Sequence, residues 1–381
     1  MTNLRVYFFC CNEPGNLQED VIALAEGLKE LGVPYFANCD YWLQSLDPGD
    51  YLFKHCPEVS YEDCDIVVVS YTWPQWVRMG TFELRQQPLP ANLFRKPRHY
   101  ITVYMDNNDG YRTISFEPEY RQFDLILRSK FNTRTWHPEN MQPWAYGLTN
   151  RIIEATRFGL PFRDRRPALL VNFGVSHPFQ YATRKLSRCR LEPKLERILQ
   201  IDRTTDDLSL EPSDPYEALM WRQTGGRFSR SYYGRLTQTQ AVACFCGDII
   251  PCLPFRGADR YLVGGNRAKF RKILYSILSW LSAGTPRAVG CDSFRFWEAL
   301  SAGAAAINVD LGLYGVQLPL MPENGAHYIG VDFERVDTAI DQLVDTVFRE
   351  RVADAGRRWA HRYFSPRATA ERFLQMCCEI L

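Results

Sequence analysis

Gly290-Cys291-Asp292-Ser293-Phe294-Arg295-Phe296-Trp297-Glu298-Ala299-Leu300-Ser301-Ala302-Gly303-Ala304-Ala305-Ala306-Ile307-Asn308-Val309-Asp310 is the stretch on which the reading of the chain turns. Ser293 has the chemistry of a helix N-cap, and residues 294–302 are good helix formers at helical spacing. Gly303 supplies a stop, and 304–309 is a short apolar run of the kind that fills a buried parallel strand. On the predicted helix Phe294, Trp297 and Leu300 share one face, while Arg295 and Glu298 lie three apart on another. A short helix followed at once by a strand therefore presents one guanidinium and one carboxylate near a sheet edge.

The order Ser293-x-Arg295-Phe296-x-Glu298-Ala299-x-x-x-Gly303 before an apolar strand resembles the carboxyl-terminal motif of glycosyltransferases with the GT-B fold. The likeness is to the exostosin-like and "glycosyl transferases group 1" families. It implies that Glu298 accepts hydrogen bonds from the ribose hydroxyls of a sugar nucleotide, with Ser293 and Arg295 beside the diphosphate. A carboxylate suits that task because it accepts two hydroxyl donors at once. A surface pair of Glu298 with Arg295 would account for the same spacing. The group-1 families usually carry a second Glu eight residues earlier, where this chain has Gly290. The two-Glu signature of a retaining mechanism is thus lacking, and retaining and inverting transfer both stay open.

The 381-residue chain is long enough for two ordinary domains. Apolar residues make up 46% and charged residues 23%, which is the composition of a soluble globular protein. A formal net charge of +1 gives no support to a nucleic-acid partner. The twelve cysteines are scattered, with no Cys-x-x-Cys pair, so reduced thiols in a cytoplasmic protein are expected rather than a disulfide framework or a zinc site. No signal peptide is visible, and no uncharged run reaches the ~20 residues of a membrane-spanning helix.

Residues 4–11 read as a buried first strand, 12–16 as a turn, 17–31 as a helix striped by Val21, Leu24, Leu28 and Leu31, and 34–37 as the next strand. The chain contains no Gly-x-Gly-x-x-Gly, so a nicotinamide-dependent dehydrogenase has no support. By the resemblance, the first loop faces the interdomain cleft, making Asn12 and Gly15 site candidates; a simple turn role explains them equally. A strand over 64–71 ends on Trp73-Pro74-Gln75-Trp76, rings that stack on a sugar or pack between loops. The strand over 100–105 delivers Asp106-Asn107-Asn108-Asp109-Gly110, where Asp106 or Asp109 is placed for general-base work and an Asx-rich turn is the rival. A calcium loop is out of register, because Gly110 falls fifth rather than sixth.

After a strand over 123–129, residues 158–167 read as a linker, and 168–174 as the strand opening the second domain. A helix predicted from about Tyr181 crowds Arg184, Lys185 and Arg188 into its first turns. Cations there are disfavoured by roughly 0.3–1 kcal/mol each unless an anion docks. The resemblance implies that a basic residue at this place neutralises the leaving diphosphate, Arg184 first and Lys185 second; a solvated basic face is the alternative. Residues 200–235 read as polar, with a loop over 204–214; 241–247 as an apolar strand; 249–265 as a hairpin or lid; and 270–281 as a helix. An amphipathic helix over 336–349 is expected to turn Ile340, Leu343, Val344 and Val347 inward. Ser365-Pro366 opens a last helix with Phe373, Leu374 and Cys377 on its buried side. Trp359, Tyr363 and Phe364 are expected to be exposed, which leaves peripheral membrane contact as an option.

These readings predict an α/β protein of two Rossmann-like doubly wound domains facing a cleft, with a C-terminal helix crossing back to the first. The expected division is 1–160 for the acceptor-side domain, 167–355 for the nucleotide-sugar domain and 356–381 for the returning helix. The resemblance implies metal-independent transfer of a sugar from a UDP- or GDP-linked donor to a hydroxyl of a glycan or other acceptor. A sugar-nucleotide epimerase or hydrolase of the same fold, or a non-catalytic sugar-binding protein, are the alternatives.

Overall fold

The computed structural model describes residues 4–12, 17–70, 76–77, 84–85, 90–107, 118–174, 182–206, 209–252 and 286–381. The predicted helix over 270–281, most of the 249–265 hairpin and Trp73 lie outside them.

The first apolar run forms β1 (Val6–Phe9), and α1 (Glu19–Leu31) returns the chain to β2 (Tyr35–Ala37). The helix buries Val21, Leu24 and Leu28 completely and ends where Gly32 turns to φ +68°. β3 (Ile66–Ser70), β4 (Ile101–Asp106), β5 (Leu125–Arg128) and β6 (Met141–Pro143) complete a six-stranded sheet in the order β6-β5-β4-β3-β1-β2. Every pairing in it is parallel. After α2 (Asn150–Ala155), β7 (Arg166–Leu170) starts a second sheet two residues earlier than the apolar run suggests. α3 (Ala182–Leu186), β8 (Gln200–Asp202), α4 (Pro215–Gln223), α5 (Arg230–Thr237) and β9 (Thr239–Ala243) follow. The chain continues through β10 (Asp248–Pro251), β11 (Pro286–Val289), α6 (Phe294–Ser301), β12 (Ala305–Val309) and β13 (Ile329–Val331). The parallel order of the second sheet is β8-β7-β9-β12-β13, and β10 pairs antiparallel with β11 beside it. Both sheets reverse winding direction once, between β1 and β3 and between β7 and β9, and ligands of such sheets sit outside the strand carboxyl ends at those switch points.

Within the polar stretch 200–235, α4 and α5 follow the predicted 204–214 loop. The N-cap of α4, Asp214, accepts from the Glu217 N–H at 2.9 Å, and Ser229 caps α5. Each helix buries only a narrow stripe, Ala218 and Met220 on one and Tyr232, Tyr233 and Leu236 on the other, so their composition reads as polar. The predicted helix over 336–349 is likewise two. α7 (Asp337–Val344) stops at Asp345, whose carboxylate caps α8 (Thr346–Phe364) by accepting from the Val347 and Phe348 N–H groups. The break resets the helical phase, so Ile340 and Leu343 are buried while Val344 and Val347 face solvent. Trp359 and Phe364 are buried against Trp297 rather than exposed, which removes the aromatic patch expected for membrane contact. Among the described residues, no helix is long and apolar enough to cross a membrane.

α9 (Pro366–Cys378) crosses back onto α1, burying Phe373, Leu374 and Cys377. The approach is so close that a Cβ on Gly27 would lie 1.9 Å from the Pro366 carbonyl oxygen. Next to it Glu26 is buried and accepts the Asn150 N–H at 2.7 Å; burial pushes its carboxyl up to about 8 against that hydrogen bond. With a folded pKa above the unfolded one, the folded state holds the extra proton, so this group's contribution falls as pH rises from about 4.5 to about 8. Glu26→Gln should therefore match the wild type in melting temperature near pH 5 and exceed it progressively toward about pH 8.5. Parallel pH profiles for the two proteins would refute this.

Candidate functional site

The carboxyl ends of both sheets converge on a cavity of about 470 Å³, with Leu17, Lys130, Tyr146 and Arg151 on one side and Asn172–Gly174, Arg184, Cys246, Gly290, Asp292–Arg295 and Glu298 on the other. Its centre is α6. The helix runs as its sequence indicates and Gly303 turns at φ +65°, but Ser293 makes no side-chain cap; its hydroxyl donates to the Cys244 carbonyl at 3.5 Å.

Glu298 is 7% exposed and lines this cavity, so it does not sit on a solvated face. Tyr232 donates to its Oε2 at 2.9 Å and Tyr233 to its Oε1 at 2.8 Å. Burial pushes both phenols well above their ordinary range, so both remain donors at neutral pH. Each carboxylate oxygen then retains a lone pair for another hydroxyl. Behind Tyr233 the network continues into the first sheet. Arg151 donates to the Tyr233 oxygen at 2.6 Å and to Glu19 Oε1 at 2.7 Å, and Thr149 donates to the same Glu19 oxygen at 2.9 Å. Burial opposes the charge of Arg151, but Glu19, Tyr233 and Glu298 outweigh it and hold its pKa above the usual guanidinium value.

The predicted cations separate. Arg295 donates to the Asn172 carbonyl at 2.9 Å and lines the cavity, turned to that carbonyl rather than to Glu298. Arg184 is buried, donates to the Phe245 and Gly174 carbonyls and also lines the cavity. Lys185 is exposed and away from the cavity lining, and Arg188 pairs with Glu192 at 3.5 Å. The amino terminus of α3 holds an anion of the protein's own, the Asp248 carboxylate, which accepts the Ala182 N–H. Lys130, from the opposite wall, is a cation that the sequence does not single out: it donates to the Tyr146 hydroxyl at 2.7 Å and is almost fully buried.

The first-domain candidates fare differently. Asn12 is exposed, donates to the Asp40 carbonyl at 2.7 Å and does not line the cavity. Gly15 and Asp109 lie outside the described residues. Asp106 ends β4 with no exposed surface and forms an ion pair with Arg128, so the structure does not present it as a base. Asp292 does line the cavity, as Glu298 and Asp206 do, and accepts from the Trp297 indole at 2.8 Å and the Tyr146 N–H at 3.1 Å. Burial pushes it up to about 6, against these hydrogen bonds and the charge of Lys130. Among the described residues, no group of three His, Cys, Asp or Glu side chains is arranged to hold a metal ion.

No family model matches the chain, and no curated protein matches it. Solved structures do. An alpha-glucosyltransferase in complex with UDP and a 13-mer DNA containing a central A:G mismatch superposes with a TM-score of 0.52 at 8% identity, over 99% of this chain and 100% of that one. An alpha-glucosyltransferase with UDP-glucose and DNA containing an abasic site gives 0.51 at 8% identity over the same shares. A glycosyltransferase from Rickettsia africae ESF-5 gives 0.48 at 11%, over 100% and 99%. The first two share this architecture along the whole length: the chain has the GT-B fold, two Rossmann-like units facing a cleft.

Proposed function

We propose that the protein is a glycosyltransferase that moves a sugar from a nucleoside-diphosphate sugar to a hydroxyl acceptor. The observation that carries this is the buried Glu298 carboxylate, oriented by Tyr232 and Tyr233 and aimed into the cavity between the sheets. Its free lone pairs take the ribose hydroxyls. Arg184 and Arg295 on one wall and Lys130 on the other offset the charge that grows on the diphosphate as the glycosidic bond breaks. These cations supply electrostatic stabilisation without calling on a metal ion. UDP as the carrier, and a hexosyl group, draw support from the UDP and UDP-glucose bound to structures of the same fold. GDP stays the second choice. A glycan or another neutral hydroxyl compound fits as acceptor better than DNA, given the net charge of +1.

If transfer inverts configuration, a base must take the acceptor proton; Asp292, in the cavity wall with a pKa of about 6, has the chemistry for it. The division between 1–160 and 167–355 belongs to the same proposal and is supported by the first sheet closing at Pro143 and the second opening at Arg166, whereas the boundary at 356 falls inside α8 and the returning helix α9 starts at Pro366. Twelve free cysteines fit a cytoplasmic setting. The test is a panel of sugar nucleotides with and without acceptors, read as release of nucleoside diphosphate. Acceptor-dependent release is expected; acceptor-independent release would instead indicate a hydrolase, and no release or binding of any donor would overturn the reading.

A further inference from the structure

Strands β10 and β11 lead back to two neighbouring thiols, Cys246 and Cys291, of which Cys246 lines the cavity. The pairing of the two strands ends at Asp248 and Val289, and Cys246 and Cys291 lie two residues beyond it, one on each segment. The two chain segments are in contact there. A Cβ on Gly247 would lie 1.8 Å from the Val289 oxygen and 2.8 Å from the Gly290 carbonyl carbon, and both glycines adopt positive φ. The Cys291 thiol already reaches across, donating to the Cys246 carbonyl at 3.0 Å. Cys246 is the member that lines the cavity, together with Arg184 and Ser293.

We propose that Cys246 is a modification site, a cavity-wall thiol that hydrogen peroxide oxidises, with Cys291 as the partner that closes the product to a disulfide. The surroundings favour its reactive form: the neighbouring Cys291 thiol draws its pKa down against burial, with Ser293 and Arg184 acting the same way. Cys244, two residues back, is pushed up by burial and serves as an internal contrast. In the first step the Cys246 thiolate attacks peroxide. An S–O bond forms, the O–O bond breaks and hydroxide leaves, taking a proton to become water. In the second, Cys291 sulfur attacks the sulfenic sulfur. The S–S bond forms, the S–O bond breaks, and hydroxide leaves with the Cys291 proton as water. Two thiols and one peroxide thus give one disulfide and two waters. The bridge ties the loop carrying Gly247 to the one carrying Asp292 and Ser293, across the floor of the cavity.

The experiment is peptide mapping by mass spectrometry of the full chain after brief exposure to dilute hydrogen peroxide, with iodoacetamide labelling at about pH 7 as the second measurement. A reducible 246–291 crosslink is expected. Cys291→Ala should slow alkylation of Cys246 severalfold, because the neighbour that favours its thiolate is gone. Cys291→Ser keeps a hydroxyl donor in place, so it should retain the fast labelling and yet give no crosslink. Oxidation confined to the exposed Cys189 and Cys378, with Cys246 intact in the wild type, would overturn the proposal even if Cys291→Ala failed to fold. One arm rests on the proposed function: UDP should slow labelling of Cys246. A crosslink that forms while UDP gives no protection upholds the thiol pair and counts against nucleotide binding in this cavity.

Discussion

Glu298→Gln is expected to weaken UDP binding by about 10- to 100-fold, the worth of a charge-assisted hydrogen bond lost from a buried site, ~1.5–3 kcal/mol. The glutamine is the informative substitution. It keeps a side chain of the same shape between the Tyr232 and Tyr233 hydroxyls, offering one acceptor oxygen and an amide that a tyrosine oxygen can accept. Alanine would strand both phenols, each buried, at about 1–3 kcal/mol apiece, and so would confuse binding with stability. Titration calorimetry with UDP, alongside thermal denaturation, separates the two. A folded Glu298→Gln protein with the nucleotide affinity of the wild type would remove the site assignment altogether.

Arg151→Met should cost about 3–5 kcal/mol of stability, the range found when one partner of a buried ion pair is deleted. Glu19 has no exposed surface, and without Arg151 its carboxylate keeps, among the described residues, only the Thr149 hydroxyl. Its Oε2 already has no hydrogen-bond partner among the described residues. Urea unfolding measures the loss. Adding Glu19→Gln to Arg151→Met removes the stranded charge and should recover a large part of it; two substitutions whose effects simply add would show that the pair does not act as a unit. Because Arg151 also holds the Tyr233 oxygen that orients Glu298, the single variant should bind UDP more weakly than the wild type even where it is fully folded.

The elements legible in the sequence are those whose whole signal lies within a few residues. The 290–310 segment announces a helix and strand because its apolar spacing, Gly303 and the run from Ala304 agree, and the first strand-helix-strand unit does so through one uninterrupted stripe ending at Gly32. Asp106 misleads for a small reason: β4 runs one residue further than its apolar run, which takes the carboxylate into the sheet and onto Arg128. The break at Asp345 is hidden because a capping aspartate inside a continuous apolar period looks like surface charge. Arg151, Lys130 and Tyr146 carry no local mark. Each is an ordinary residue near the junction of the two sheets, made part of the site only by the second lobe folding over it. Tyr232 and Tyr233 do leave a trace, an aromatic doublet just after a capping serine, which the polar composition around it conceals.

The contact of Gly27 with Pro366 also sets an order of events during synthesis. The outer face of α1 has nothing to lie against until residues 366–378 have left the ribosome, so the first lobe must wait, partly unsheltered, through translation of the entire second lobe. Chaperone dependence in the cell should accordingly concentrate on nascent chains that already contain β1 to β6 but still lack that final segment.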